Sequence, residues 1–378
     1  MTHRIALIGT GDPDGDGFAM AYRHAAGYER LDDCEIVACA DIVAENATAF
    51  AEEYDVPGQH IYQDYEAMLK SAQPDVVSVC VPPGTHADIV TGATESGVPE
   101  AIHCEKPMAL TWGEANRMAD VCAAEGVQLT INHQLRFGKP YREAKRLLDS
   151  DAIGDLVRVE FQEKTLYDNG THSFDLVNYF NDQRPVEWLL GQIDYTEENT
   201  LFGAHNENQA IVQWRYENGV YGLASTGRGA SYTDAAFRLL GTDGAIEIGD
   251  DGELSCRRDG GSWRTVDTGA DGRYQPDPGR IRRGTELLTR TVSQRVADRV
   301  AVPTYTERAI EDVVSSLKTG ETSELAAEYA LDADELIFAA WESVRRRGRV
   351  ELPLDIQDNP LESMVESGVL APAPTTAD

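Results

Sequence analysis

Residues 4–11 read RIALIGTG, a short apolar run that ends in a glycine-rich turn. Residues 18–26, a few positions further on, have the composition of a helix. A strand, a glycine turn and a helix in this order let backbone N–H groups and the positive end of a helix dipole approach a pyrophosphate. The stretch therefore predicts a dinucleotide-binding unit at the start of the chain. An ordinary tight turn between a strand and a helix is the alternative interpretation.

The second predicted strand, residues 35–40, is followed directly by Asp41. A carboxylate there can accept hydrogen bonds from both ribose hydroxyls of an adenosine, and it would repel a 2′-phosphate. No arginine follows within the next ten residues to bind such a phosphate. We therefore predict that Gly9, Thr10 and Gly11 form a cofactor-binding turn. Asp41 completes this predicted site, which favours NAD over NADP.

The loop after the turn, residues 12–17, reads DPDGDG and departs from the usual GxGxxG spacing. The third glycine of that pattern would fall at Asp14. Three carboxylates pointing at a pyrophosphate would repel it, so we expect a lengthened loop whose aspartates face solvent. A calcium loop is the alternative, but Arg23 stands where such a loop needs a bidentate glutamate.

Strand and helix signals alternate up to about residue 130, which predicts a parallel sheet covered by helices on both faces. Beyond it, closely spaced strands with short turns predict a large, mostly antiparallel sheet; they lie at 156–164, 187–195, 209–216, 221–226, 235–240 and 245–248. Two helices follow at 306–318 and 326–346, and they can pack back on the first domain. The predicted fold is therefore α/β, with a dinucleotide-binding domain at 1–130, an α+β domain at 131–370 and a disordered tail at 371–378.

Two further motifs follow strands of the predicted parallel sheet, at the edge where ligands bind in open α/β folds. Residues 81–86 read VPPGTH, so Pro82 ends a strand and His86 either begins the next helix or lines the cleft. Residues 104–107 read CEKP, and the following proline favours an extended conformation for Lys106. A lysine there can hydrogen-bond a substrate hydroxyl and lower its pKa, although a solvated surface lysine is the alternative.

A third motif lies in the second predicted domain, where residues 168–172 read DNGTH. If a helix begins near Thr171, His172 lies in its first turn and Asp175 lies on the same face. A histidine with an ordinary pKa near 6.5 is suited to remove a hydroxyl proton at neutral pH. Asp168 could orient that imidazole or the substrate.

The composition excludes several classes of function. The chain has 378 residues, 42% of them hydrophobic, and a formal net charge of −32, which repels nucleic acid and anionic membranes. It contains 6 Lys against 27 Arg. This surface is suited to concentrated salt, so we predict a halophilic source, with an acidic mesophilic protein as the alternative. Scattered cysteines without CxxC pairs, no zinc-like histidine spacing and no long apolar run predict a cytoplasmic protein without a metal site.

With these motifs in this order, the sequence resembles the Gfo/Idh/MocA family of oxidoreductases over roughly residues 3–370. The most specific mark is Glu105-Lys106-Pro107. The other segments that resemble the family are Pro82-Pro83…His86, Asn132…Arg136-Phe137…Pro140, Ile153-Gly154-Asp155, Asp168…His172 and Val350-Glu351-Leu352-Pro353-Leu354.

The resemblance implies a Rossmann domain followed by an α+β domain whose open sheet carries substrate on one face and often a subunit interface on the other. A homodimer or homotetramer through that sheet is then expected. It also implies hydride transfer between a nicotinamide and a carbinol carbon of a sugar, polyol or sugar derivative. The residues that it assigns fall into three sets: Lys106, Asp168 and His172 as catalytic; Pro82, His86, Glu105 and Lys106 at the cofactor; Lys106, Arg136, Asp168 and His172 at the substrate.

Two other functions stay open at this stage. A relative that holds NAD tightly could oxidise its substrate only transiently, as in oxidoreductases or glycosidases with no net redox change. A nicotinamide-binding sensor without turnover is the second alternative, although Lys106, Asp168 and His172 together count against it.

Overall fold

The computed structural model describes residues 2–14, 19–227, 235–269, 271, 273 and 302–372. The chain divides into two compact units, each assembled from separate stretches of sequence. The first unit comprises Met1–Glu105, Arg117–Lys139 and Gly269–Ala327, and the second comprises Lys106–Asn116, Pro140–Thr268 and Glu328–Asp378. The sequence predicted one boundary at residues 130–131, whereas the chain crosses between the units at several positions. Most of the predicted tail, residues 373–378, lies outside the described residues.

Six of the described strands form a parallel sheet in the first unit, in the order β3-β2-β1-β4-β5-β6. This order is that of a doubly wound dinucleotide-binding sheet, so the predicted Rossmann domain is confirmed. The strands are β1 (His3–Ile8), β2 (Cys34–Ala40), β3 (Ile61–Tyr62), β4 (Val76–Val79), β5 (Ala101–Cys104) and β6 (Gln128–Ile131). The helices are α1 (Met20–Glu29), α2 (Ala44–Glu53), α3 (Tyr65–Ala72), α4 (His86–Glu95), most of α5 (Trp112–Glu125) and α8 (Tyr305–Thr319).

The strands of this sheet are almost wholly apolar because helices cover both of its faces. All four residues of β4 are buried. Of the two late helices that were expected to pack back on the first domain, α8 lies in this unit and contacts α1 closely. A Cβ atom added at Gly27 of α1 would lie 2.9 Å from the Ile310 side chain, so a side chain there would push the two helices apart.

Helix α5 begins where the sequence predicts a capping box. The Glu114 backbone N–H donates to Thr111 Oγ1 at 3.2 Å, and the Thr111 backbone N–H donates back to Glu114 Oε2 at 3.2 Å. The two residues thereby satisfy N–H groups that a helix start leaves without partners, which fixes the start of α5.

Nine described strands form the large sheet of the second unit, in the order β16-β15-β14-β13-β7-β12-β11-β8-β17. Strands β7 and β12 pair in parallel and the other neighbours are antiparallel, so the predicted mostly antiparallel sheet is confirmed. The strands of this unit are β7 (Leu156–Glu163), β8 (Val186–Asp194), the separate pair β9 (Thr200–Leu201) and β10 (Ala204–His205), β11 (Gln209–Tyr216), β12 (Tyr221–Gly227), β13 (Phe237–Gly241), β14 (Gly244–Ile248), β15 (Leu254–Arg258), β16 (Arg264–Val266) and β17 (Val350–Glu351).

Helices α6 (Lys139–Asp149), α7 (Gly170–Phe180), α9 (Ala327–Arg346) and α10 (Pro360–Glu366) complete this unit. Its core contains an aromatic cluster in which Phe161 of β7 meets Phe174 of α7 edge to face, with ring centroids 4.9 Å apart. Phe174 also meets Trp214 of β11 at 5.4 Å. Helix α7, which carries the predicted histidine, is therefore anchored to the sheet through Phe174.

None of the helices in the described part of the chain has the length and hydropathy needed to span a membrane. In the same residues, no three His, Cys, Asp or Glu side chains converge in a way that could hold a metal ion.

Candidate active site

The glycine turn after β1 has the backbone conformation that only glycine adopts without strain. Gly9 and Gly11 have φ values of +82° and +70°. A Cβ atom at Gly9 would lie 2.5 Å from Val81 Cγ1, so any side chain there would collide with the chain that follows β4. The turn therefore keeps side chains out of the way at the carboxyl end of the sheet, which permits the close backbone approach that a dinucleotide requires.

Asp41 closes this turn from the end of β2. Its Oδ2 accepts a hydrogen bond from the Gly11 backbone N–H at 2.9 Å and another from Thr10 Oγ1 at 3.2 Å. Its Oδ1 accepts from the Val43 backbone N–H at 2.9 Å. The structure therefore brings Gly9, Thr10, Gly11 and Asp41 together, and Asp41 holds the shape of the turn.

The aspartate-rich loop is described only at its beginning. Asp12 Oδ1 accepts a hydrogen bond from the Asp14 backbone N–H at 2.9 Å, and both side chains are exposed. Residues 15–18, which include Asp16, lie outside the described residues. For Asp12 and Asp14, the expectation of solvent-facing carboxylates agrees with the structure.

Pro82 and His86 lie where β4 ends, as their positions in the sequence predict. Pro82 is exposed, whereas the His86 imidazole is buried and its Nε2 donates to the Val81 carbonyl at 2.8 Å. His86 is the first residue of α4. This hydrogen bond ties the imidazole to the chain that follows β4, and the contact of His86 with a cofactor remains a prediction.

Lys106 and Asp168 meet within the second unit, although they are distant in sequence. Lys106 Nζ donates to Asp168 Oδ1 at 3.0 Å and to the Asp168 carbonyl at 2.9 Å. Each side chain is 18% exposed, so the pair is largely shielded yet accessible. Two contacts from one residue fix the direction of the ammonium group.

His172 lies in the first turn of α7, as predicted, and is 4% exposed. The helix begins at Gly170, whose backbone N–H donates to the Thr165 carbonyl at 3.0 Å. A Cβ atom at Gly170 would lie 2.6 Å from that carbonyl oxygen, so only glycine permits the sharp turn before the helix. The turn places Asp168 and His172 at the same end of α7.

Glu207, which the sequence analysis missed, anchors the segment that carries Asp168. Its fully buried carboxyl accepts from the Leu166 backbone N–H at 2.6 Å and from Thr226 Oγ1 at 2.9 Å, both on Oε1. Trp341 Nε1 donates to Oε2 at 3.4 Å. Burial raises the pKa of Glu207 to about 7, although these hydrogen bonds oppose the shift. A buried acid thus fixes the backbone two residues before Asp168.

Asp334 of α9, which the sequence analysis also missed, supports the residues next to Lys106 and His172. Lys106, Asp168 and His172 are called the Lys106 cluster. Its buried Oδ1 accepts from Thr171 Oγ1 at 3.2 Å, and Thr171 directly precedes His172. Burial raises the pKa of Asp334 to about 7, hydrogen bonds from Thr171 and the Met108 backbone lower it, and the nearby Asp175 raises it further. Met108 lies two positions after Lys106, so Asp334 contacts the neighbours of both predicted catalytic residues.

Arg136, the predicted substrate ligand, lies in the first unit in a short turn of 3₁₀ helix, Gln134–Phe137. Its guanidinium is 2% exposed, and Nη1 donates to the Glu324 carbonyl at 2.8 Å. This contact joins the end of the sheet to the segment before α9. Arg136 belongs to the first unit and Lys106, Asp168 and His172 belong to the second, and the contact of Arg136 with a substrate stays a prediction.

Comparison with protein families assigns both units. Residues 3–133 match the model of the oxidoreductase family with an NAD-binding Rossmann fold, and residues 157–352 match that of its C-terminal alpha/beta domain. The chain belongs to the Gfo/Idh/MocA oxidoreductase family. Membership agrees with the parallel sheet of the first unit and with the nine described strands that form the large sheet of the second.

Named relatives of this oxidoreductase are moderately similar in sequence. The rhizopine catabolism protein MocA of Rhizobium meliloti is 27% identical over 262 residues, covering 65% of this chain and 77% of its own length. The myo-inositol 2-dehydrogenase of Thermotoga maritima is 23% identical over 264 residues, covering 64% and 74%. A solved inositol dehydrogenase homologue from Azotobacter vinelandii, complexed with NADH and myo-inositol, superimposes with a TM-score of 0.69 and 20% identity, covering 93% and 98%. This last likeness shows a shared fold.

Proposed function

We propose that this oxidoreductase is an NAD-dependent dehydrogenase that oxidises a secondary hydroxyl of a sugar or polyol. The observation that carries the proposal is the pairing of Lys106 with Asp168 beside the helix that presents His172. A sensor or a scaffold does not require an ammonium group held in a fixed direction, such as that of Lys106, near an imidazole that can accept a proton. The inositol dehydrogenases among the relatives support the substrate class.

The residues of the first unit fit a nicotinamide dinucleotide. The glycine turn excludes a side chain at Gly9, so the pyrophosphate could approach the backbone there, and Asp41 would accept hydrogen bonds from the adenosine ribose. When bound, NAD⁺ supplies a hydride acceptor at its nicotinamide. The residues of this chain contribute the binding, the orientation and the proton transfer described below.

The surroundings of Asp41 support NAD rather than NADP. Ile42 and Val43 directly follow this carboxylate and are 85% and 44% exposed. A 2′-phosphate placed here would meet a negative side chain and two apolar ones. An ordinary NADP site supplies an arginine at this point.

The second unit supplies groups suited to the reacting hydroxyl. Lys106, held by Asp168, would donate a hydrogen bond to the substrate oxygen and stabilise the negative charge that develops as the proton leaves. An imidazole nitrogen of His172 would take that proton. The carbinol carbon then loses its hydride and becomes a carbonyl. In the reverse direction His172 returns the proton.

A panel assay tests this proposal. Wild type is incubated with pentoses, hexoses, polyols and sugar nucleotides, with NAD or NADP, in molar KCl, and NADH absorbance is followed. Release of NADH with at least one polyol or sugar supports the proposal. Product formation without NADH release favours the alternative with tightly held NAD. NAD binding without any product over the whole panel contradicts the proposal and favours a sensor.

We also infer a cytoplasmic homo-oligomer, either a dimer or a tetramer, from a halophilic source. By strand register, Leu190, Ile211 and Tyr221 lie on one face of the large sheet, on β8, β11 and β12, and all are exposed. Such an apolar face is suited to a subunit interface. The six free cysteines favour a reducing compartment. Light scattering after size exclusion in molar KCl tests the assembly, and a monomeric mass would contradict it.

A further inference from the structure

A buried polar network surrounds Glu105 in the first unit, and the motif-based prediction does not account for it. Glu105 Oε1 accepts hydrogen bonds from His24 Nε2 at 2.9 Å and from Asn132 Nδ2 at 2.6 Å. His24 and Asn132 are fully buried, and Glu105 is 6% exposed. His24 lies on α1, which follows the glycine turn, and Asn132 directly follows β6. A side chain from α1 and one from the end of β6 therefore both donate to Oε1 of Glu105.

The network continues behind His24 through Ser78 and Tyr28. His24 Nδ1 lies 3.2 Å from Ser78 Oγ, and Ser78 Oγ lies 2.9 Å from Tyr28 OH. Burial raises the pKa of Tyr28, so this phenol keeps its hydrogen. A chain in which each hydrogen has an acceptor runs from Tyr28 to Ser78, from Ser78 to His24 Nδ1, and from His24 Nε2 to Glu105.

A second imidazole packs against the first without competing for this role. The His103 ring lies 4.9 Å from the His24 ring. Burial lowers the pKa of His103 to about 3, so His103 is neutral. Its Nδ1 lies 2.8 Å from Thr130 Oγ1, which itself donates to the Ile102 carbonyl. His103 thus fills the space beside His24 and places no positive charge next to it.

Stability alone does not account for this arrangement. Burying a carboxylate costs free energy that its partners only partly return, and apolar side chains of similar size often serve a fold equally well. The carboxylate belongs to the residue that precedes Lys106, and one peptide bond joins the two. A shift of Glu105 therefore moves the backbone from which Lys106 extends. A displacement of about 1 Å can cost about 10²-fold in rate.

We propose that His24 is a positioning residue, which holds Glu105 through its Nε2–H tautomer and thereby sets the place of Lys106. The inference rests on the proposed function, because its effect is expressed in the rate of hydride transfer. His24 itself touches neither substrate nor cofactor in this account. Its contribution is the fixed orientation of its neighbour.

Two isosteric substitutions separate positioning from a merely structural role. In His24→Gln the amide nitrogen takes the place of Nε2 and can still donate to Glu105. In His24→Asn the amide nitrogen takes the place of Nδ1, reaches towards Ser78 and leaves Glu105 without that donor. We expect kcat to fall about 10–100-fold in His24→Asn and only severalfold in His24→Gln, measured at saturating NAD so that a change in cofactor affinity does not contribute. His3→Asn, at the opposite end of the sheet, is the matched control.

The possible outcomes separate this inference from the proposed function. Equal losses in the two variants, or a lower melting temperature with unchanged kcat, would overturn the positioning role alone. Absence of turnover in wild type would overturn the proposed function instead. If His24→Asn does not fold, Asn132→Ser removes the other donor on Glu105 and should lower kcat in the same manner.

Nitrogen NMR of histidine-labelled wild type gives a readout that needs no turnover. We expect the Nε2–H tautomer at His24, and we expect its Nε2 shift to move in Glu105→Gln. An Nδ1–H tautomer at His24, or a shift that does not respond to Glu105→Gln, would contradict the hydrogen-bond chain.

Discussion

The glycine turn of the first unit and the Lys106 cluster of the second are held in place by different means. Gly9 and Gly11 depend on a backbone conformation with positive φ, and the Gly11 N–H donates to the side chain of Asp41. Lys106 and Asp168 instead depend on buried carboxyls contributed by distant parts of the chain. A binding site made of backbone can therefore be recognised from a short motif. A catalytic site made of side chains also depends on buried residues that hold those side chains in place, and these residues are not part of any short motif.

This difference predicts that the two regions fail independently when they are substituted. The glycine turn is proposed to bind the cofactor, so substitutions there should change the affinity for the cofactor and the preference for NAD over NADP. The Lys106 cluster is proposed to act on the reacting hydroxyl, so substitutions there should lower turnover while cofactor binding persists.

Substitution within the cluster should abolish most turnover. We expect Lys106→Met and His172→Asn each to lower kcat about 10²–10⁴-fold, because each removes a positioned group that acts on the reacting hydroxyl. The double variant should lose less than the product of the two, since both groups act on one proton. Steady-state kinetics measure turnover and NAD titrations measure cofactor binding. Lys70→Met, at an exposed position of α3, is the control.

The pH profile adds a second criterion for His172. The oxidation rate of wild type should rise with pH as the imidazole loses its proton, and this rise should vanish in His172→Asn. Near-normal turnover in a folded, NAD-binding Lys106→Met protein would show that the catalytic assignment is wrong.

Cofactor choice tests the turn. We expect kcat/KM with NAD to exceed that with NADP by about tenfold or more, because an unfavourable interaction of about 1.4 kcal/mol changes an equilibrium tenfold. Asp41→Ser combined with Ile42→Arg should reduce this preference and leave kcat with NAD within severalfold of wild type. A wild type that uses NADP at least as well as NAD would contradict the role of Asp41.

The dependence of stability on salt tests the interpretation of the acidic surface. At about 0.1 M salt the screening length is about 10 Å, and in molar salt it is about 3 Å. Most of the −32 net charge therefore repels itself in dilute buffer. We expect the melting temperature to rise steadily from dilute buffer to molar KCl, by about 10 °C or more. Equal melting temperatures in both conditions would contradict the halophilic interpretation.

The smallest expected effect concerns the buried support of the cluster. The pKa of Asp334 is raised to about 7 from its ordinary value of 3.8. The folded state therefore holds the proton more tightly, and its stability falls as pH rises from about 4 through 7. In Asp334→Asn this loss is absent, so the melting temperature should decline less between about pH 5 and pH 8 than in wild type. Parallel declines in the two proteins would contradict the raised pKa.

The sequence predicted most of what local patterns specify. The parallel sheet, the capping box at Thr111 and the start of α7 near Thr171 all follow from periodicity and turn chemistry, and the structure agrees with each. Strands β15 and β16 were missed, since they are only 5 and 3 residues long and too short to show a clear alternation. The single boundary at residues 130–131 could not anticipate that Lys106–Asn116 joins the second unit.

The supporting carboxyls could not be predicted because their partners are set by tertiary packing. Glu207 lies between two asparagines in a polar stretch that reads as an ordinary turn. Asp334 gave a weak signal, as an acid within the apolar run of α9, but a solvated helix face explains such a residue equally well. Its contact with Thr171 spans 163 positions, so no local pattern reveals it.

Transfer of deuterium tests the central claim most directly. Once the panel identifies a substrate, it is labelled at the carbinol carbon and incubated with wild type, Lys106→Met and NAD. We expect wild type to deliver the deuterium to the nicotinamide ring of released NADH, and Lys106→Met, with NAD bound normally, to deliver about 10²–10⁴-fold less per unit time. Label that stays on the substrate carbon in wild type, or equal transfer by the variant, would contradict hydride transfer at this cluster.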